Sequence, residues 1–251
     1  MYELTISIFY NRSNIIEQIA TELENEIKLS DGLMVCGLFD GRAQLSLAVK
    51  QSKKDFIKAK ILCVVSDALV SNYKYEYLNE HIYENLIKEK DRNSLIRALT
   101  EFDKTTDVDL VKKNLVFNNQ IVLDSLYNFR LQELKNRWKD IVELVNNNLP
   151  NLVASDTLCD MMKFLIASSP VKTDEVYIGE NSDLIYLIDN LKNARLNFKW
   201  ERSDNEVEQK LINQLIKLSP RRIYISKDVY GKIEFMKKIE SLFDGRVYIT
   251  H

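Results

Sequence analysis

Leu33-Met34-Val35-Cys36-Gly37-Leu38-Phe39-Asp40-Gly41-Arg42-Ala43-Gln44-Leu45-Ser46-Leu47-Ala48-Val49 is the stretch on which the fold class turns. Two apolar runs flank Asp40-Gly41. A two-residue hairpin turn needs positive φ at both central positions, which suits an Asp-Gly pair. The stretch therefore reads as an antiparallel hairpin. Upstream, Leu4, Ile6, Ile8 and Tyr10 alternate with polar residues, the period of a half-buried strand. Ile15, Ile16, Ile19, Leu23 and Ile27 recur at helical spacing behind Ser13 or Asn14, either of which makes a sound N-cap, and Asp31-Gly32 closes that helix. The first fifty residues thus predict strand, helix, strand, strand.

Beyond the hairpin the period changes. From Lys53 to Ser169 the chain reads as helix only. Phe56, Ala59, Lys60, Cys63, Val64 and Asp67 open one helix, which continues through Tyr73, Tyr75 and Tyr77 towards Leu86. A second runs from about Asn93 to Phe102. Thr105-Thr106-Asp107 breaks it and caps a long central helix reaching about Asn146. Asn146-Asn147-Asn148-Leu149-Pro150 is expected to stop that helix, because proline cannot donate to the ladder and disfavours helix in the residue before it. Leu158, Met161, Met162, Leu165 and Ile166 form one more helix, ended by Ser168-Ser169-Pro170.

The last eighty residues mix both periods. Val176 to Ile178 and Leu184 to Ile188 flank Gly179-Glu180-Asn181-Ser182 as a second hairpin, and Leu196, Phe198 and Trp200 alternate as a strand. Ser203-Asp204-Asn205-Glu206 is a capping box ahead of Val207, Leu211, Leu215 and Leu218. Pro220 stops that helix. Ile223 to Ile225, Val229 to Phe243 and Arg246 to Ile249 then read as strand, helix, strand, a unit that makes a parallel pair. The fold class expected is α+β. It comprises a small β-α-β-β unit over 1–50, an all-helical region with one long central helix over 51–172, and an α/β unit with a mixed sheet over 173–251.

Composition agrees with long helices: among 251 residues there are only three prolines and six glycines. The 45% hydrophobic and 29% charged content belongs to a soluble globular chain. A net charge of −2 gives no general attraction to nucleic acid. Cys36, Cys63 and Cys159 are far apart, form no C-x-x-C pair, and each falls in an apolar run; they are expected as buried small hydrophobes in a reducing cytosol. Met1-Tyr2-Glu3-Leu4-Thr5 lacks the positive region of a signal peptide, and Ile61 to Val65 and Leu33 to Phe39 are far too short to span a bilayer. A cytoplasmic location follows.

Catalytic signatures are missing. The two histidines, His81 and His251, have no ligand-spaced partner, so no metal site is expected. No glycine-rich phosphate loop occurs, and no cofactor is implied. Asp103, Asp107 and Asp109 precede a helix and suit capping and the helix dipole. Tyr73, Tyr75 and Tyr77 point in different directions on a helix, which favours partial burial over a stacking platform. Phe-Asp-Gly-Arg occurs at 39–42 and 243–246, and shared turn chemistry explains both copies. Within the expected central helix, Leu123, Tyr127, Leu134, Trp138, Ile141 and Val145 share one stripe, with Arg130 on it and Phe129 almost opposite. An arginine there needs a carboxylate or several carbonyls, because an unpaired buried charge costs several kcal/mol or more; it reads as a structural ion pair or a snorkelling side chain, with an anchor for an anion or a partner as the functional alternative.

Asn128-Phe129-Arg130-Leu131 and the hydrophobic helix after it resemble the N-F-R-L segment of the YtxC-like family, sporulation proteins of endospore-forming Firmicutes. Leu211 to Ile225, with its helix, Pro220, the basic pair Arg221-Arg222 and a strand, resembles that family's helix-proline-basic-strand segment. Ile239 to Val247 resembles its terminal helix-turn-strand. The similarity runs from about Leu62 to the end. Where the family carries a glutamate-rich aromatic stretch, this chain has Leu152-Val153-Ala154-Ser155-Asp156-Thr157, a divergence. The resemblance implies a sporulation setting and no catalytic residues.

The expected function is that of a non-enzymatic cytoplasmic protein acting through contacts with a protein partner. Asn128, Phe129, Arg130, Arg221 and Arg222 are the candidate structural or interaction residues. A second reading is a nucleic-acid binder using Lys135, Arg137 and Lys139 with Arg221 and Arg222. A third, an enzyme with a carboxylate-based site, requires a pocket gathering at least two acids.

Overall fold

A computed structural model describes residues 1–29, 32–83, 89–153, 157–181, 184–189, 194–199, 205–232 and 235–250. In chain order its elements begin with β1 (Tyr2–Phe9), α1 (Ser13–Leu29), β2 (Leu33–Phe39), β3 (Arg42–Val49), α2 (Lys54–His81), α3 (Glu89–Glu101), α4 (Lys104–Asn114) and β4 (Gln120–Val122). The short α5 (Leu123–Ser125) leads into one turn of π-helix at Leu126–Arg130, then α6 (Gln132–Val153) and α7 (Thr157–Ser168). The remainder is β5 (Thr173–Asn181), β6 (Leu184–Asp189), β7 (Ala194–Lys199), α8 (Asn205–Leu218), β8 (Pro220–Ser226), α9 (Lys227–Lys232), α10 (Phe235–Leu242) and β9 (Val247–Thr250). The fold is α+β.

The chain forms two compact units. The first comprises Met1–His81 and Lys104–Glu143, the second Ile82–Asp103 and Leu144–His251. Where the sequence suggests boundaries at 50/51 and 172/173, the contacts instead share the helical middle between two sheets.

In the first unit the sheet order is β2-β3-β1-β4, antiparallel except for β4, which runs parallel to β1. Alternation places Leu4, Ile6 and Ile8 of β1 and Leu45, Leu47 and Val49 of β3 on one buried face. Ile15, Ile19, Leu23 and Ile27 of α1 cover it, as the helical spacing requires. Asp40 and Gly41 both take positive φ, 49° and 71°, so the hairpin turn is the one the dipeptide demands.

Several expectations are corrected here. In α2 the buried face is Ile57, Ile61, Val65, Ala68 and Leu69, while Phe56 and Cys63 are exposed. The stripe read from the sequence holds four apolar residues together with Lys60 and Asp67, whereas the face that is buried is apolar throughout. Cys36 is also exposed and Cys159 half-buried, so none of the three cysteines is a core residue; apolar neighbours in sequence do not share a face. No single central helix connects Thr105 to Asn146: Leu115–Asn119 leaves the helix, β4 joins the sheet, and α6 begins only at Gln132. Pro150 does not stop α6, which continues to Val153. A proline in a helix costs about 3 kcal/mol, which ends many helices but does not forbid one. The second hairpin is tighter than read, since β5 continues through Gly179, Glu180 and Asn181. The expectations resting on Asp31, Leu86, Ser182, Trp200, the capping box at Ser203 and Asp204, and His251 lie outside the described residues.

The second unit holds the mixed sheet β7-β6-β5-β8-β9, with β5, β8 and β9 mutually parallel and the β5–β6–β7 pairs antiparallel. Val176, Ile178, Ile185, Leu187, Ile223 and Ile225 form its buried face. Val207, Leu211 and Leu215 line the buried side of α8, which packs on α3. Polar ties reinforce α3: Lys238 Nζ lies 3.0 Å from an Asp91 oxygen, Gln209 Nε2 donates to Ser94 Oγ at 3.2 Å, and Lys172 pairs with Glu101. Arg246, from the second Phe-Asp-Gly-Arg, donates to the carbonyls of Pro220 at 3.1 Å and Ile166 at 3.3 Å. It pins the β9 turn to the end of α7, and burial pushes its guanidinium below the usual arginine range.

Candidate interaction site

Two buried carboxylates fix the segment that precedes α6. Asp107, in the first turn of α4, does more than favour a helix dipole. Its Oδ2 accepts from Lys74 Nζ at 2.7 Å and Trp138 Nε1 at 3.0 Å, and its Oδ1 from Arg137 Nε at 3.2 Å. The Lys74 and Asp107 side chains are 0% and 1% exposed, so this ion pair is fully desolvated and depends on that convergence of donors. Asp124, at the start of α5, accepts from the backbone N–H of Phe9 at 2.9 Å, from Arg42 Nη2 at 2.7 Å and from Tyr73 Oη at 3.3 Å. It ties α5 to β1, to the hairpin arginine and to α2 together.

Directly after Asp124 the backbone makes its π-turn. The extra residue in the turn rotates the side chains, so the periodicity of a continuous α-helix does not apply across it. Leu126 points inward, Tyr127 is half-buried, Asn128, Phe129 and Arg130 face solvent, and Leu131 is inward again. Tyr127 packs on Tyr73, with ring centroids 4.4 Å apart, and on Trp138 at 6.1 Å, while Lys135 Nζ lies 4.5 Å over its ring. Burial pushes the Tyr127 phenol up to about 12. Tyr73 is raised further, by burial and then by the Asp124 carboxylate. The Asn128 carbonyl accepts from Gln132 Nε2 at 2.7 Å and Lys135 Nζ at 3.3 Å, which seats the turn on α6.

The expectation that Arg130 is buried and paired is therefore corrected. Arg130 is exposed, and among the described residues no carboxylate lies within ion-pairing distance of it. Phe129 is 79% exposed, more than any other large apolar side chain among the described residues. The two residues border a groove of about 380 Å³ along β4. Leu115, Val116, Ile121, Val122 and Leu126 supply its apolar walls; Asn118, Gln120 and Ser125 supply polar groups, and Arg130 is its sole charge among the lining residues. β4 is the last strand of its sheet, so the groove follows a free edge.

Arg221 and Arg222 lie on β8, in the second unit. They pair with Asp174 at 3.5 Å and Glu175 at 3.2 Å on the neighbouring strand. Glu175 also accepts from Tyr177 Oη at 3.1 Å, and Tyr177 stacks on Tyr224. Lys139 pairs with Glu143 at 3.5 Å, while Arg137 is held by Asp107. His81 is occupied as well: its Nδ1 lies 2.8 Å from the Tyr77 carbonyl and its ring stacks on Tyr77. The structure thus groups Phe129 and Arg130 with a groove, leaves Asn128 exposed beside them in the π-turn, and places the other two candidate arginines in the second unit.

Sequence reasoning misses the groove's polar lining and Asp124. Asn118-Asn119 followed by the β-branched pair Ile121-Val122 was the available signal for a turn and a short strand. Three residues are too few to establish a period.

Fold and site together define an α+β protein of two units carrying a surface groove beside a free strand edge. The YtxC-like family model matches residues 54–248. The chain belongs to that family. The matched span begins at α2 and includes both the π-turn and the β8–β9 region; most of the hairpin sheet lies before it. No match is found among curated proteins or among solved structures. Among the described residues no helix is long and apolar enough to cross a membrane.

Proposed function

We propose that this chain is a non-enzymatic, cytoplasmic interaction protein of the sporulation programme of an endospore-forming Firmicute, and that the groove beside β4 is its contact site. The observation that carries this reading is Phe129 and Arg130 held side by side in solvent at the mouth of an apolar groove. A solvent-facing phenylalanine is retained at a cost in solubility, and aromatic and arginine side chains are the ones that dominate protein contacts. The occupant is a partner segment that presents an apolar side chain to the groove and a carboxylate to Arg130, with which a guanidinium pairs through two parallel hydrogen bonds.

The test is made in a spore-former. Deleting the gene should lower spore yield or delay the programme, and Phe129→Ala and Arg130→Glu should each reproduce that defect. Both purified variants should keep wild-type thermal stability to within about 0.5 kcal/mol, as exposed substitutions do. Normal spore yield, timing and resistance in the deletion strain would sink the sporulation setting. Full complementation by both variants would sink the groove.

A further inference from the structure

The opposite edge of the same sheet carries a different anomaly. β2 is the other terminal strand, seven residues long, without a charge, a proline or a bulge. Its side chains are largely in solvent: Leu33, Val35, Leu38 and Phe39 are 65–70% exposed. A long, flat, apolar edge is what soluble chains usually blunt with lysine, proline or a covering element, because its free N–H and C=O groups recruit another strand. Nothing of the kind is placed within β2.

We propose that β2 pairs with β2 of a second copy of this chain, antiparallel about a two-fold axis at Cys36, joining two four-stranded sheets into one of eight. The backbone defines which groups are free. A two-residue turn makes Phe39 and Arg42 a hydrogen-bonded pair, so Phe39, Gly37, Val35 and Leu33 direct their backbone groups to β3. Those of Leu38, Cys36 and Met34 point away from the sheet. Side chains on one face must meet one face, which excludes every second register. Of the registers that remain, only the one centred on Cys36 pairs the whole strand. It sets Leu33 against Phe39 of the partner, Met34 against Leu38, and Val35 against Gly37.

Each pairing is chemically compatible. With no charge in the strand, the two-fold brings no like charges together. Gly37 has open space where a Cβ would stand, with no heavy atom within 4 Å, and it faces the partner's Val35. The partner strand comes from the same chain because a two-fold repeats this large-against-small match on both sides of the axis, making the edge complementary to itself. The pairing lies on β2, at the sheet edge away from the β4 groove, so it stands or falls independently of the proposed function.

The experiment uses the full chain carrying Cys63→Ser and Cys159→Ser, which leaves Cys36 as its single thiol. Sedimentation velocity should show a species of twice the 29.4 kDa chain mass. Paired Cys36 residues would sit about 5.5 Å apart at Cα, within disulfide range. Copper-phenanthroline oxidation should therefore convert most of the protein to a covalent dimer. Leu38→Lys, at an exposed position, should weaken the dimer about tenfold or more by placing a charge in the pairing. Val35→Lys should do the same through the other face, and both variants should keep the wild-type circular dichroism spectrum. A monomer at the highest soluble concentration would overturn the proposal. So would a dimer that neither crosslinks through Cys36 nor responds to either lysine.

Discussion

Asp107 shows what a single side chain does in this molecule. Its acidic neighbours stay outside the core, Asp103 half-buried in the turn before α4 and Asp109 exposed within α4, whereas Asp107 is drawn inside to receive a lysine, an arginine and a tryptophan N–H. Asp107→Asn keeps the shape and removes the charge on which those donors converge. It should cost about 3 kcal/mol or more, read as a lower urea midpoint at unchanged slope. The tyrosine pair Tyr73 and Tyr127 gives a second expectation. Tyr73 and Tyr127 ionise later folded than unfolded, with Tyr127 near 12 against an ordinary 10. Above pH 10 the unfolded chain therefore releases its protons first, so stability is intact below pH 10 and declines as pH rises towards 12. Absorbance titration near 295 nm should show a late-ionising fraction of tyrosine that shrinks in Tyr127→Phe and again in Tyr73→Phe. Arg130 teaches the opposite lesson from Asp107: read as a buried charge in a helical stripe, it is a solvent-facing one.

At the scale of elements, the hairpin was the most legible part of the chain and the π-turn the least. Asp40-Gly41 imposes its turn through local backbone sterics, so the dipeptide sufficed. Gly41→Val forces a β-branched residue to φ 71°, and thermal denaturation should report a loss of about 1 kcal/mol or more. The same substitution at Gly37, where φ is ordinary and the surroundings are open, should be nearly neutral for folding of the monomer. The segment from Leu115 to Arg130 was read as helix because its apolar residues can be fitted to a 3.6 period. Its actual course is dictated from a distance. Ile121 pairs with Ile6, and the Asp124 carboxylate is claimed by the Phe9 N–H, 115 residues earlier. Once β4 has joined the sheet, the helix is interrupted, and the π-turn resets which residues face inward.

At the scale of the whole molecule, the two units do not follow the order of the chain. Residues 82–103 belong with the C-terminal sheet, although some forty residues of the first unit separate them from the rest of it. A fragment of residues 173–251 should therefore fail to fold alone, since α8 would lose α3, the helix it packs on. Dispersed amide resonances from that fragment would contradict this, and adding 82–103 and 144–172 back in trans should restore dispersion to a mixture that lacks it. The amino-acid sequence by itself determined the α+β class, the first hairpin, the mixed C-terminal sheet and the membership of the YtxC-like family, because turn chemistry and side-chain periodicity act over a few residues and survive in any context. Only the tertiary structure decided that Arg130 and Phe129 stand free beside a groove, that Arg221 and Arg222 are paired on β8, and that the helical middle is shared between two sheets. Those outcomes depend on which distant partner claims each surface, and periodicity carries no record of that partner.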